Sequence, residues 1–162
     1  MSGAALLDVN VLVALFDPAH IHHDVAHDWF SADGRAAWAT CPVTEAGFLR
    51  VLTNPAYGGT AMRVAELAAL LTRFCRSGGH VFWPDRVSLL DTALFDLTRA
   101  AGHRQMTDVY LLGLACRMGG RLATFDRTIP IRAVKGATAA SLEVIAPAEQ
   151  RAAKPDRTGR RA

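Results

Sequence analysis

Short apolar runs alternate along this chain with stretches of helical periodicity. Residues 5–8 read as a buried strand, and residues 9–16 carry the same apolar character on into a short helix. Asp17-Pro18 closes that element, because a residue preceding proline avoids the helical region. Residues 22–30 place Val25, Ala26, Trp29 and Phe30 on one helical stripe. Residues 36–39 form a short strand, and Pro42 suits the first turn of a helix over 43–52 that ends at Asn54-Pro55. Val64, Leu67, Ala68, Leu71 and Phe74 fall at helical spacing within 62–74, which Gly78-Gly79 stops. Residues 80–83 predict a third strand and 89–101 another helix. Thr107 predicts an N-cap for a helix over 108–118, terminated by Gly119-Gly120. A fourth strand over 121–125 and an edge strand over 142–145 complete the pattern. Strands separated by helices predict βαβ units: an α/β fold whose mainly parallel sheet carries helices on both faces.

Length agrees with this picture, since 162 residues suit one compact domain with a sizeable core. A hydrophobic fraction of 51% and a charged fraction of 20% exclude a disordered chain. No apolar run reaches the roughly 18 uncharged residues of a membrane helix. The apolar stretch 4–16 lacks a basic start and contains Asp8 and Asn10, so it is not read as a signal peptide, and a cytoplasmic protein is expected. Cys41, Cys75 and Cys116 lie far apart, with no zinc-ligand spacing, and are expected as reduced thiols. The net charge of +3 is unevenly spread: residues 151–162 hold five basic residues against Asp156, leaving the remaining chain slightly acidic. The expected organisation is one domain over 1–150 and a basic, disordered tail over 151–162, which could graze a phosphate backbone.

Ligands in open α/β sheets gather beyond the carboxyl ends of the strands, which makes position along a strand the filter for function. Four carboxylates pass it. Asp8 ends an apolar strand and is followed by more apolar residues; a cap for the next helix is the plain alternative. Asp126 repeats that layout after the fourth strand, where a turn residue is the alternative. Asp108 and Glu45 each sit in the first turn of an apolar helix, where the macrodipole alone favours a negative charge. Gathered at one sheet mouth, four such groups would repel one another unless a cation were present. Oxygen donors without histidine or cysteine favour a hard ion, Mg²⁺ or Mn²⁺, and Mg²⁺ held by few carboxylates points to phosphodiester chemistry. Asn10 is placed to orient Asp8.

Other residues invite chemistry less strongly. His20, His22, His23 and His27 include an i, i+4 pair, but Asp24 stands where a zinc-protease motif needs glutamate, and a solvated helix face is expected. Trp29, Trp38 and Trp83 fall in apolar segments and read as core. Arg50, Arg104 and Arg127 lie near carboxyl-end loops, where they could steer phosphates. Asp8-Val9-Asn10-Val11 begins like the phosphatase signature D-x-D-x-T, but Asn10 and Leu12 replace its second aspartate and its threonine. A partner-binding protein with a degenerate site is the non-enzymatic alternative.

The segments Leu7-Asp8-Val9-Asn10-Val11-Leu12, Thr44-Glu45, Thr107-Asp108-Val109-Tyr110 and Ala123-Thr124-Phe125-Asp126 carry a family resemblance. Over nearly all of residues 4–147 the chain resembles the PIN-domain ribonucleases, and most closely the VapC toxins of bacterial type II toxin–antitoxin systems. The resemblance implies a three-layer α/β/α fold with four to five strands in its sheet. It also implies an acidic quartet of Asp8, Glu45, Asp108 and Asp126 around Mg²⁺, with Asn10 and Thr124 in support. Metal-activated water would hydrolyse RNA to 5′-phosphate and 3′-hydroxyl ends. A small VapB-like antitoxin and a homodimer are the implied partners. The loop 54–59 and the basic tail have no place in it.

Overall fold

The computed structural model describes residues 3–58 and 62–152. Five strands form one sheet: β1 (Ala5–Leu7), β2 (Trp38–Thr40), β3 (His80–Phe82), β4 (Arg121–Thr124) and β5 (Leu142–Val144). Their order is β3-β2-β1-β4-β5, and every described pairing is parallel. β1 therefore lies at the centre, and chain order reverses direction between β1 and β4. Strands buried on both faces lose the alternation of a half-exposed strand and read as continuous apolar runs. Ala5, Leu6 and Leu7 are all fully buried, as are Leu122, Ala123 and Thr124.

The helices are α1 (Val9–Phe16), α2 (His23–Ala32), α3 (Pro42–Leu52), α4 (Val64–Cys75), α5 (Met106–Arg117) and the short α6 (Ala148–Ala152). Two cores divide the sheet by face. Ala5, Leu7, Trp38 and Ala123 pack under α1 to α4 with Trp29, Phe30 and Phe48. Leu6, Ala39 and Leu122 point the other way, to Leu111, Leu112 and Leu114 of α5 and to Phe95. The result is the expected α/β/α sandwich. α1 and α3 approach so closely that a Cβ on Gly47 would stand 2.5 Å from Val9 Cγ2. All three tryptophans are core residues, at 0% exposure for Trp29 and Trp38 and 6% for Trp83.

Two helical expectations need correcting. Residues 89–101 form no α-helix: they run as turns, with one 3₁₀ turn at Leu97–Arg99. Short polar side chains outcompete the helix there, since Asp91 Oδ1 accepts from the Ala93 amide and Asp96 Oδ1 from the Thr98 amide and hydroxyl. Phe95 instead pairs antiparallel with Val134 and fills the space above Gly113. Thr107 is not the N-cap of α5: the helix begins at Met106 after a 3₁₀ turn, His103–Gln105, so Thr107 lies inside the first turn. The histidines do more than face water. His23 Nδ1 meets the Ala14 carbonyl at 2.7 Å and His27 Nε2 the Leu15 carbonyl at 2.8 Å, occupying acceptors left open at the end of α1. In the loop left unplaced, Asn54 caps a 3₁₀ turn at Pro55–Tyr57, and the Tyr57 hydroxyl donates to Asp17 Oδ2 at 2.8 Å. Gly59 and tail residues 153–162 lie outside the described residues. No helix among the described residues is long and apolar enough to cross a membrane.

Candidate active site

Asp8 follows β1 directly and occupies the N-cap position of α1, yet its side chain makes no capping bond across the first turn. The carboxylate is 6% exposed and accepts a hydrogen bond from Thr124 Oγ1 at 2.8 Å. Thr124 closes β4, the strand beside β1, so this bond spans the point where strand order reverses. The same hydroxyl oxygen accepts the Asp126 amide at 3.0 Å, which ties the turn after β4 to the end of β1. Asp126 Oδ1 in turn accepts the amide and hydroxyl of Thr128 at 2.6 and 2.7 Å. One backbone-anchored oxygen of Asp126 is thereby fixed.

Asp108 stands in the first turn of α5 on the opposite face of the sheet. Burial pushes its carboxyl up to about 6, and the charges of Asp8 and Asp126 push in the same direction. The Asp8 carboxyl is likewise raised, first by burial and then, against the favourable Thr124 bond, by Asp126. These three groups therefore share one electrostatic field. Elsewhere three acids have cations: Glu66 has Arg63, Asp96 has Arg99 and Glu143 has Arg121. Among the described residues no such ion pair reaches Asp8, Asp108 or Asp126.

Glu45 occupies the first turn of α3, as expected, but its contacts are its own. Thr40 Oγ1, at the end of β2, donates to Glu45 Oε1 at 2.7 Å and meets His80 Nε2 at 2.8 Å. Burial lowers the His80 imidazole while the Glu45 charge raises it, and burial followed by the same charge pushes the Cys75 thiol up to about 11. Glu45 and His80 share the wall of a cavity of about 350 Å³ between α3 and α4. The structure thus brings Asp8, Asp108 and Asp126 into one field and sets Glu45 apart on α3, bonded to Thr40 at the end of the neighbouring strand β2. Asn10 is exposed in the first turn of α1, and among the described residues no hydrogen bond joins it to Asp8. Thr40 and His80 escaped the sequence reading. Thr40 had a legible sign, for it ends its strand as Thr124 does.

The donor set suits a hard cation. All four groups offer oxygen donors, and among the described residues no ion pair compensates Asp8, Asp108 or Asp126. Among the described residues no three His, Cys, Asp or Glu side chains stand close enough to enclose an ion. That spacing disfavours an all-protein cage and admits an ion such as Mg²⁺, which keeps several waters and uses one or two carboxylates.

Known proteins are similar to this chain in sequence. The PIN domain family profile matches residues 5–135. The chain is 50% identical over 122 residues to ribonuclease VapC38 of Mycobacterium tuberculosis, an alignment covering 75% of this chain and 84% of that protein. It is 43% identical over 134 residues to ribonuclease VapC44 of the same organism, covering 83% of this chain and 94% of the relative. With ribonuclease VapC39, also of M. tuberculosis, identity is 42% over 132 residues, 82% of this chain and 95% of the relative. A parallel sheet in this order, acidic groups at its switch point and relatedness of this depth over nearly the whole domain lead to one conclusion: the chain belongs to the PIN-domain family, in its VapC-type branch.

Proposed function

We propose that this protein is an endoribonuclease toxin of a VapBC-type module that hydrolyses RNA phosphodiesters with Mg²⁺, Mn²⁺ serving as a substitute. The observation that carries the reading is the Asp8 carboxylate, almost fully buried, bonded to Thr124 and facing the charges of Asp126 and Asp108, with no basic partner among the described residues. Keeping such a cluster ionised costs folding free energy unless a cation joins it. VapC-named relatives supply the substrate class, RNA, and the expectation of a VapB-like antitoxin.

In this reading Asp8 and Asp108 hold the cation, and Asp126 and Glu45 complete the acidic set. The cation, when bound, supplies Lewis-acid charge and lowers the pKa of a water. The protein's own residues do the rest. Thr124 fixes the Asp8 carboxylate and the turn bearing Asp126 at once, so two acids are oriented by one hydroxyl. Thr128 takes Oδ1 of Asp126, and the other oxygen, which accepts no hydrogen bond among the described residues, would align a water or hold its proton. Asn10 is kept as a supporting amide on its placement alone, two residues past Asp8. Cytoplasmic location, a homodimer, a basic tail beyond residue 150 and its contact with RNA belong to the same proposal.

The test is RNA cleavage by the purified chain with EDTA, Mg²⁺ or Mn²⁺, followed by sequencing of fragment 5′ ends. Cleavage restored by either ion, and absent in Asp8→Asn, supports the reading. Cleavage that persists in EDTA, or in Asp8→Asn at the normal rate, overturns it.

A further inference from the structure

The Thr40 hydroxyl has one proton and two partners. Glu45, when ionised, can only accept, so that proton is committed to Glu45 Oε1 at 2.7 Å. The 2.8 Å contact with His80 must then run the other way, with His80 Nε2–H donating to the Thr40 oxygen. We propose that His80 is a positioning residue for the active-site glutamate, acting through Thr40 to hold one Glu45 oxygen and leave the other available. This inference rests on the reading of Glu45 as part of the cation site.

The setting favours such a role. Thr40 is fully buried at the end of β2, and as a β-branched residue its χ1 is stiff. His80 opens β3 opposite Trp38, with the two ring centroids 4.5 Å apart, so the imidazole is braced on its strand. Glu45 lacks such support of its own: it is partly exposed on α3 and borders a cavity of about 350 Å³ that Arg76 also lines. Without the Thr40 bond, the flexible Glu45 side chain has space to turn away from the sheet end, toward that guanidinium. A residue that fixes the orientation of a ligand typically changes metal affinity by about 10–100-fold when removed.

The experiment measures Mn²⁺ affinity of the full chain by calorimetry without RNA, alongside kcat and KM for RNA cleavage. Thr40→Val and His80→Phe are expected to weaken Mn²⁺ binding by about 10-fold or more and to lower kcat more than they raise KM. Thr40→Ser and His80→Gln, which keep the hydroxyl and the N–H donor, are expected to recover affinity. In a Glu45→Gln background, Thr40→Val is expected to add nothing. If Glu45→Gln weakens Mn²⁺ binding while Thr40→Val and His80→Phe do not, the positioning role is wrong and the nuclease reading stands. If Asp8→Asn abolishes binding but Glu45→Gln leaves it intact, Glu45 is no ligand, and this inference falls with that assignment. Should the variants fail to fold, the ¹⁵N spectrum of wild-type histidines decides. A neutral His80 protonated on Nε2 supports the proposal, and one protonated on Nδ1 overturns it.

Discussion

Asp108→Asn tests whether the acidic cluster stores unfavourable charge. The Asp108 carboxyl rises from 3.8 to about 6 on folding, through burial and then through Asp8 and Asp126. A shift of about two units corresponds to roughly 3 kcal/mol at 1.36 kcal/mol per unit, and solvent screening of this half-buried group reduces it to about 1–2 kcal/mol. The sign follows from which state binds the proton more tightly. The folded pKa is the higher one, so the stabilising contribution is fully present below about pH 4 and is lost as pH rises through about 6. The Asp8 carboxyl is raised as well, and its charge adds to the rise of Asp108, so the slope is shared by these two groups. For a domain of this size 1 kcal/mol moves the midpoint by about 2–4 °C, which gives about 2–8 °C. Thermal unfolding in EDTA at about pH 4.5 and about pH 8 is the assay. Relative to wild type, Asp108→Asn should gain that amount on going to the higher pH, and saturating Mg²⁺ at about pH 8 should narrow the gap. A wild-type-to-variant difference equal at both pH values would refute the electrostatic argument, and a gap that Mg²⁺ leaves unchanged would refute the cation.

Asp8→Asn should lower RNA cleavage in Mg²⁺ by more than about 100-fold, beyond the cost of a lost supporting contact. Its melting temperature in EDTA should equal or exceed wild type, because a buried charge disappears; a large loss of stability would make Asp8 structural. Gly47→Ala should cost about 1–3 kcal/mol in urea unfolding, since the new methyl meets Val9 Cγ2 at 2.5 Å between α1 and α3. Unchanged stability would mean that these two helices slide freely. Tyr57→Phe should raise the Asp17 pKa, whose depression comes first from the Tyr57 hydroxyl; a carboxyl ¹³C titration reads it, and no upward shift would deny the bond.

The sheet was legible because central parallel strands leave so plain a signature. Ala5-Leu6-Leu7 and Leu122-Ala123-Thr124 are apolar or small throughout because both faces are covered; Asp8 follows the first directly and Asp126 follows the second after Phe125. Helices with a strong apolar stripe, such as α4 with Leu67 and Leu71, were placed to within two residues. The segment 89–101 was misread because its leucines and Phe95 mimic helical spacing, while Asp91 and Asp96 bond locally and Phe95 answers to Val134, a partner distant in sequence. The carboxylates were singled out by their place after strands and in first turns. That Asp8 takes its hydrogen bond from Thr124 and not from Asn10 depends on which strands are neighbours, and β1 lying between β2 and β4 is written in no local pattern. His80 stayed hidden for the same reason.

Strand order also accounts for how the proposed site would be held. β1 has β2 on one side and β4 on the other, and both neighbours end in a fully buried threonine. Thr124 takes Asp8, and Thr40 takes Glu45. Threonine suits the position twice over, because β-branching fits a strand while its hydroxyl can donate to an ionised carboxylate. Each bond fixes an acid to protein before any cation arrives, so a bound ion would have charge to neutralise but little side-chain disorder to remove. The cost of this preorganisation is repulsion in the cation-free fold, concentrated on Asp8 and Asp108, whose carboxyls are both raised. Serine in place of either threonine would keep the donor and lose the stiffness, whereas valine would keep the shape and leave a carboxylate unheld. In the proposed site the hydroxyl, more than the strand, is what holds each acid at its sheet end.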